Sequence, residues 1–276
     1  MPKISSALPL MLTLLPGLLV ATSSLAGPFS DPGHEPATMA AWASEVDDFE
    51  VGPRDIDMPE LGPASFGVPE ATLGPPSVDG LDVYSLGDGG FVTLYFASGI
   101  GNGADDDFAV YENGFYSPGG LFAELAFVEV SSNGIDFARF PSTSLQTEIV
   151  EDFSPIDPSD FDNLAGDQPV GLGTGFDLKE LMDHPLVSAA LLDLTDVRFV
   201  RLIDVIGDGT TFDAQEHAVY DPYPTPFDSG GFDAEAIGVI HTAPEPGIFV
   251  MFPAGLAALL ALARARCPSR RCMPRA

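Results

Sequence analysis

The chain has 276 residues, of which 41 are Asp or Glu and 11 are Lys or Arg, so its formal net charge is −30. All the acidic residues lie between residues 27 and 246, and a field this negative excludes nucleic acids and anionic lipids as partners of that part. Disorder is excluded too, because 45% hydrophobic residues and 20 Phe provide ample material for a core.

Residues 1–26 have the features of a secretory signal. Lys3 precedes an apolar run over residues 8–20, and Ser24 and Ala26 are small residues at the two positions that a signal peptidase reads. We expect cleavage after Ala26. The alternative, a retained anchor or a core helix, is disfavoured because the run is short and a Pro-Gly pair interrupts it.

Residues 27–76 are rich in Pro and Gly and predict an irregular arm that lies across the domain. A candidate helix covers residues 38–45. Trp42 is the only Trp of the chain, and we interpret it as an anchor for the arm.

Residues 77–243 predict one domain of short strands. The sequence Gly87-Asp88-Gly89-Gly90 and the pair Asn133-Gly134 each stand between apolar strands, as in hairpins. Alternation along the strands predicts which side chains face inward: Val92, Leu94, Phe96, Ala126, Val128, Val130, Ile135 and Phe137.

The second half of the domain adds two strands and two short helices. Residues 197–208 are apolar on both faces, as in a central strand, and residues 232–241 predict the last strand. Asp177 can cap a helix from Leu178 onward, and a second helix is expected over 186–192. Many short strands and few helices indicate an all-β fold, an antiparallel β-sandwich of jelly-roll type.

The densest polar segment, GNGADDDFAVYENG at residues 101–114, suggests a calcium site. Gly-rich loops with carboxylates supply the six to eight oxygens that calcium requires. We predict one structural calcium ion held by Asp107 and Glu112, with Asp233 from the last loop; a regular strand would need to bend for this. Asp105 and Asp208 are further candidate ligands. The alternative is that these Asp residues cap their own turns.

The aromatic residues suggest a second kind of site. Tyr111, Phe115 and Tyr116 flank the acidic segment, and Tyr223 lies in a Pro-rich loop. Exposed rings beside carboxylates suit sugars, so Tyr111, Tyr116 and Tyr223 are candidate glycan contacts. The alternative is that most rings of a Phe-rich sandwich belong to its core.

Catalytic patterns are weak. Paired carboxylates are compatible with glycoside hydrolysis, but chance pairs are expected among so many acids. No Gly-x-Ser-x-Gly or His-Glu-x-x-His segment occurs, and the four His residues are scattered. We therefore predict no enzyme, and keep a carbohydrate-active hydrolase as the alternative.

The carboxyl end predicts a membrane helix over residues 247–263, which are uncharged and just long enough to span a bilayer. The cluster of Arg residues that follows holds the end of the chain in the cytoplasm, so the acidic part is exported. A buried amphipathic helix is the alternative. Both Cys residues, Cys267 and Cys272, lie in this tail, so the exported domain has no disulfide and a bound cation is a natural restraint for its loops.

Pro244-Glu245-Pro246, the apolar run and the Arg-rich tail together resemble the PEP-CTERM sorting signal of Gram-negative bacteria that make extracellular polysaccharide. The resemblance covers residues 244–276. It implies transient anchoring in the inner membrane, recognition by an exosortase-type membrane peptidase, and transfer to the cell surface or release.

The domain carries a second resemblance. SLGDGGFVTLYF, GNGADDDFAVYENGF and GGFDAEAIGVI, among other segments of residues 61–241, are similar to a family of exported bacterial cell-surface proteins that often carry this tail. Their strand pattern is similar to discoidin-like, galactose-binding-type sandwiches, which implies loops that bind glycans or proteins and a structural calcium ion. The expected function is therefore a calcium-stabilised binding or structural module associated with the exopolysaccharide of a biofilm.

Overall fold

The computed structural model of the protein describes residues 28–77 and 79–245. Its strands, in chain order, are β1 Ala41–Trp42, β2 Glu45–Glu50, β3 Tyr84–Ser85, β4 Phe91–Ile100, β5 Phe108–Glu112, β6 Phe115–Ser117, β7 Gly120–Phe122, β8 Ala126–Ser131, β9 Ala138–Arg139, β10 Thr143–Ser144, β11 Val150–Glu151, β12 Phe161–Asp162, β13 Leu164–Ala165, β14 Gly173–Phe176, β15 Val197–Asp204, β16 Pro222–Tyr223 and β17 Asp233–Val239. The helical turns are 3₁₀ turns at Pro36–Thr38, Pro59–Leu61, Pro69–Thr72, Pro158–Asp160 and Leu178–Leu181, and the α-helical turn α1 at Pro185–Ser188.

Two antiparallel sheets dominate the fold. The first sheet has the order β1-β17-β5-β14, with β3 also beside β17, and the second has the order β13-β8-β15-β4-β2, with β9 beside β8. Shorter pairs join β10 to β12, β6 to β7 and, in parallel, β11 to β16. The prediction of an all-β, antiparallel, helix-poor fold is confirmed, and the two sheets are consistent with a β-sandwich.

The main core lies between the two sheets. Val92, Leu94 and Phe96 of β4 are fully buried and share one core with Phe108 and Ile237 of the first sheet. Burying each such side chain contributes about 1.5–3 kcal/mol. The predicted alternation of β4 is confirmed, and β15 lies between β8 and β4 as expected of a central strand.

A smaller core lies on the other face of the second sheet. Phe127 of β8 points away from the main core, because neighbouring side chains of a strand leave on opposite faces. It packs with Leu121, Leu125, Ile156 and Val219, which come from the loops outside the sandwich. This second core anchors the loops that form one end of the molecule.

The turn at Gly87–Gly90 does not close a hairpin, contrary to the prediction. β3 belongs to the first sheet and β4 to the second, so the turn carries the chain from one sheet to the other. Close backbone packing explains the glycines: a Cβ at Gly90 would lie 1.9 Å from the carbonyl oxygen of Leu86.

The turn after β8 is also wider than predicted. The side-chain oxygen of Asn133 accepts hydrogen bonds from the backbone N–H of Ile135 and of Asp136, which extends the loop before β9. Only Gly134 of the predicted pair has a positive φ, of 73°. Ile135 is therefore 82% exposed, and its prediction as a core residue is wrong.

Residues 27–76 are not an irregular arm throughout. β1 pairs with β17 and β2 pairs with β4, so this segment adds a strand to each sheet, and no helix covers residues 38–45. The ring of Trp42 lies 5.6 Å from that of Tyr111, which fits its interpretation as an anchor.

The helical turns follow the predicted caps. The Asp177 side chain accepts a hydrogen bond from the Lys179 N–H at 2.8 Å, as predicted. The helix expected over 186–192 ends already at Ser188, because Ala190 has a φ of 57°. In residues 28–77 and 79–245, no helix is long and apolar enough to cross a bilayer. The predicted signal sequence, the helix over 247–263 and Pro246 lie outside the described residues.

Candidate binding cleft

The structure does not bring the predicted calcium ligands together. Asp107 and Glu112 lie at opposite ends of β5, about 16 Å apart along a strand of this length. The buried Asp107 carboxylate instead accepts hydrogen bonds from the N–H of Gly103 at 2.6 Å and of Leu178 at 2.8 Å, and lies 3.0 Å from His241 Nδ1. The prediction of a single calcium ion held by both Asp107 and Glu112 is therefore wrong. The Asp107 carboxylate instead connects the three segments that contain Gly103, Leu178 and His241.

The remaining predicted ligands separate into two groups. Asp105 is exposed in a turn with a φ of 59°, and Asp208 accepts hydrogen bonds from the N–H and hydroxyl of Thr210 at 2.8 and 2.6 Å. Asp233 lies near Glu112, because Ala234 pairs with Glu112 between β17 and β5. In the part of the chain that the structure describes, no group of three or more His, Cys, Asp or Glu side chains is arranged to hold a metal ion.

The predicted glycan contacts do not share a site either. Tyr111 is fully buried against Trp42, and the hydroxyl of Tyr223 donates to Asp55 and Asp57 at 3.2 and 3.1 Å. Tyr116 is highly exposed, but its neighbours at the surface are Asp31 and Ser159.

A cleft of about 400 Å³ lies instead at the end of the molecule where β5 ends and β17 begins. Loops that follow β5, β7, β11 and β16 converge there. The cleft is lined mainly by four phenylalanines and three acids: Phe115, Phe122, Phe153, Phe227, Asp79, Glu124 and Asp233. Its volume is in the range of small-molecule sites in proteins.

The four phenylalanines form a continuous wall. Ring centroids are 5.2 Å apart between Phe115 and Phe122, 6.2 Å between Phe122 and Phe153, and 5.4 Å between Phe153 and Phe227. Phe115, Phe153 and Phe227 are 55%, 62% and 44% exposed. Contiguous exposed aromatic surface is uncommon on a soluble domain and marks a contact site.

Phe153 combines an exposed side chain with a strained backbone. Its φ is 57°, in the left-handed region that a bulky side chain occupies at a cost of about 1–2 kcal/mol. Packing does not explain the residue, because most of its ring is exposed. Strain at an exposed aromatic residue indicates a functional position.

Of the two buried acids of the cleft, Glu124 and Asp233, only Asp233 accepts hydrogen bonds from side chains of the described residues. Its neighbours Ala123 and Leu125 are buried in the smaller core, which directs the intervening side chain to the cleft. Glu124 is only 6% exposed. Its carboxyl oxygens are not among the fully enclosed polar atoms that lack a partner, so they open into the cleft, where a ligand can reach them.

Asp233 has partners. Its carboxylate accepts hydrogen bonds from the Ser85 hydroxyl and from Asn113 Nδ2, the latter at 3.1 Å. Glu112, just behind the cleft, accepts a hydrogen bond from the Gly114 N–H.

Burial and mutual repulsion shift the protonation of these acids. Burial, reinforced by the negative charges of Asp233 and Asp221, raises the pKa of Glu124 well above its usual range. Burial also raises the pKa of Asp233, to about 6. The hydrogen bonds from Ser85 and Asn113 lower this pKa and so offset part of the effect of burial. Burial therefore shifts both acids of the cleft toward their protonated forms. Perturbed acids in a cleft are typical of functional sites.

Sequence reasoning missed most of this cleft. Phe122, Phe153, Phe227 and Glu124 come from separate loops, and each is unremarkable in its local sequence. One signal was present in the sequence: Glu124 interrupts the apolar run LFAELAF. The residues on either side of it are buried in the structure, as the apolar run suggests.

Two comparisons with known proteins, one with protein families and one with curated proteins, found no match. No protein-family model matches the chain, and no curated protein is detectably similar to it.

Proposed function

We propose that this protein is an exported, non-catalytic binding module of the cell surface or extracellular matrix that holds a segment of polysaccharide in the aromatic cleft. The observation that carries the proposal is the wall of exposed phenylalanine rings in one cleft with Glu124, a largely buried acid whose carboxyl opens into that cleft. Sugars offer both an apolar ring face and hydroxyl groups, so they complement such a cleft.

Each part of the cleft has a role in this proposal. The rings of Phe153 and Phe227 stack on the apolar faces of sugar rings. The carboxyl oxygens of Glu124 and Asp233 accept hydrogen bonds from the sugar. Asn113 and Ser85 hold Asp233 in place through the hydrogen bonds that they donate.

Export and sorting remain part of the proposal. The predicted signal sequence with cleavage after Ala26, the motif Pro244-Glu245-Pro246 and the apolar run over 247–263 support passage through the inner membrane and processing by an exosortase-type peptidase. Pro244 and Glu245 are exposed, so a peptidase could reach them. Mass spectrometry of the mature protein should find a carboxyl terminus near Pro246, and an intact Ala276 in the inner membrane would contradict sorting.

Calcium stabilisation and jelly-roll connectivity also remain predictions. Of the predicted calcium ligands, the pair Glu112 and Asp233 is the part that could still contribute to one site. A thermal melt with calcium and with a chelator tests it: a midpoint that does not respond to millimolar calcium contradicts a calcium ion there.

A carbohydrate-active hydrolase is the second candidate, and one observation favours it. Glu124 and Asp233 line the same cleft, and burial raises the pKa of both, as it raises the pKa of the acid of a glycosidase. Release of reducing sugar from the matrix polysaccharide, abolished in Glu124→Gln, would favour the hydrolase over the binding module.

Binding is tested by a pull-down with purified extracellular polysaccharide, followed by calorimetry with its oligosaccharides. Phe153→Ala should abolish binding. Phe212→Ala is the matched control, because Phe212 is 55% exposed but does not line the cleft. Equal binding by both variants would contradict the proposed site.

A further inference from the structure

The cleft contains acids but no basic side chain. Asp79, Glu124 and Asp233 line it, Glu112 lies behind Asp233, and none of the described lining residues is Lys, Arg or His. The arginines of the domain are engaged elsewhere. Arg54 pairs with Asp228 at 2.7 Å, Arg139 with Glu129 at 3.0 Å, and Arg198 with Asp196 at 2.6 Å, while Arg201 lies over the rings of Phe91 and Phe137.

Such a group of carboxyls is expensive without a positive partner. Burying a carboxylate that has neither a counterion nor a full set of hydrogen bonds costs several kcal/mol. Glu124 is the clearest case, because the residue is only 6% exposed, is surrounded by the negative charges of Asp233 and Asp221, and opens its carboxyl only to the cleft. A cation from the ligand would provide what the protein does not.

The aromatic wall favours the same kind of ligand. The face of an aromatic ring attracts a cation, most strongly where water is excluded. All four rings of the wall are phenylalanine, so none of them brings a hydroxyl that could donate a hydrogen bond. The cleft therefore combines carboxyl acceptors with negative ring faces, and the donor side chains in its described lining, Asn113, Thr225 and Ser229, are all neutral.

We infer that the cleft selects polysaccharide segments with free primary amines, that is, de-N-acetylated amino sugars, whose ammonium group lies between the Glu124 and Asp233 carboxyls. This inference rests on the proposed function, because it specifies which glycan the cleft takes. The sugar ring stacks on the phenylalanine wall, and the ammonium group supplies three donors to the carboxyl oxygens. Acidic sugars would be repelled.

An ammonium group fits this cleft better than a metal ion does. Calcium requires six to eight oxygen ligands, and the phenylalanine wall supplies none on its side of the cleft. The described residues also contain no cluster of three or more side chains arranged for a metal. An ammonium group needs only two or three acceptors and gains from the rings.

The test compares two probes by calorimetry on the wild-type protein: a glucosamine oligomer and an N-acetylglucosamine oligomer of equal length, at a pH where the amines are protonated. We expect the glucosamine oligomer to bind at least about tenfold more tightly, which corresponds to roughly one charge-assisted hydrogen bond. Glu124→Gln should reduce this preference to about threefold or less. Asp167→Asn, which changes a buried acid outside the cleft, should keep it.

The outcomes separate the inference from the proposed function. Equal or tighter binding of the N-acetylated oligomer, or no binding of either oligomer, overturns the amine inference and leaves glycan binding to be decided by the polysaccharide pull-down, which alone overturns the proposed function. A preference that persists unchanged in Glu124→Gln overturns the inference as well. So does a rise in melting temperature with calcium that Glu124→Gln removes, because the carboxyls then hold a metal ion. The wild-type comparison requires no variant, so it decides the matter even if a variant fails to fold.

Discussion

Glu124 and Asp233 line one cleft but are held in different ways. The Asp233 carboxylate accepts hydrogen bonds from Ser85 and Asn113, whereas Glu124 has no hydrogen-bond partner in the described residues. The two groups consequently titrate apart, with Asp233 near pH 6 and Glu124 well above its usual range. One acceptor held by protein partners beside one acid that opens into the cleft supports the proposed ligand site.

Replacing the unsatisfied acid should therefore stabilise the protein. Glu124→Gln removes the cost of ionising a buried carboxyl, so its melting temperature should exceed that of the wild type at about pH 8, by roughly 2–4 °C per kcal/mol gained. At acidic pH the wild-type carboxyl is protonated and the gain should disappear. Calorimetric melts at both pH values measure this.

Glu148→Gln is the control for that experiment, because Glu148 is exposed and its replacement should have no effect at either pH. A Glu124→Gln variant that is less stable than wild type at alkaline pH would show that the carboxyl has a structural partner.

Phe153 provides a test that separates strain from function. Its φ of 57° suits glycine better than alanine, so Phe153→Gly should be more stable than Phe153→Ala by about 1 kcal/mol. Both variants lack the exposed ring and should lose glycan binding equally. Chemical denaturation measures the first effect, and calorimetry with oligosaccharide the second. Equal stability of the two variants would argue against a left-handed conformation at this position.

Asp107 is expected to be structural. Asp107→Ala leaves the N–H groups of Gly103 and Leu178 unsatisfied in a buried region, so it should destabilise the fold by about 3 kcal/mol. Asp105→Asn, at an exposed position two residues earlier whose φ of 59° Asn also tolerates, should change stability by less than about 0.5 kcal/mol. Denaturant unfolding gives both values.

The Asp107→Ala loss should be the same in calcium and in a chelator. If the chelator abolished the difference between Asp107→Ala and wild type, Asp107 would be a calcium ligand after all, and its assignment as a junction of three loops would be wrong.

The stability of the domain should fall as the pH rises from about 4 to about 7. Burial raises the pKa of Asp167 to about 7 from an ordinary value of 3.8, even though the Thr174 hydroxyl donates a hydrogen bond to its carboxylate at 2.5 Å. Between these two values the folded protein binds more protons than the unfolded chain, so stability decreases with pH, by about 1.4 kcal/mol per unit at most for one such group. Above the pKa of Asp167 in the folded protein, this group causes no further loss of stability as the pH rises.

Denaturant unfolding at several pH values measures this slope. Asp167→Asn should flatten it, because that side chain no longer ionises. Stability that rises steadily from pH 4 to pH 7 would contradict the pKa shifts of the buried acids, of which Asp88, also raised to about 7, is a second example.

The strands could be predicted from the sequence where alternation is strict, and the connections between them could not. Val92, Leu94 and Phe96 identify the inner face of β4 because a strand sends alternate side chains to one side. The segment Gly87–Gly90 before β4 has the composition of a hairpin turn. The local sequence does not show whether the strand that follows joins the same sheet as the strand before it. Partner choice depends on contacts far away in the chain.

The candidate site was harder to predict for the same reason. Sequence reasoning searched for dense local clusters, so it favoured Asp105 and Asp107, which serve their own turn and loops. Glu124, Phe153 and Asp233 are far apart in sequence, and folding alone brings them to one cleft. Asp233 was anticipated because it begins the last strand, but its neighbours were not.

The central claim is tested most directly by titrating purified oligosaccharides of the matrix polysaccharide into the protein and its cleft variants by calorimetry. The account predicts saturable binding to wild type and to Phe212→Ala, and none to Phe153→Ala. Saturable binding of the same strength to all three proteins, or to none of them, would contradict it.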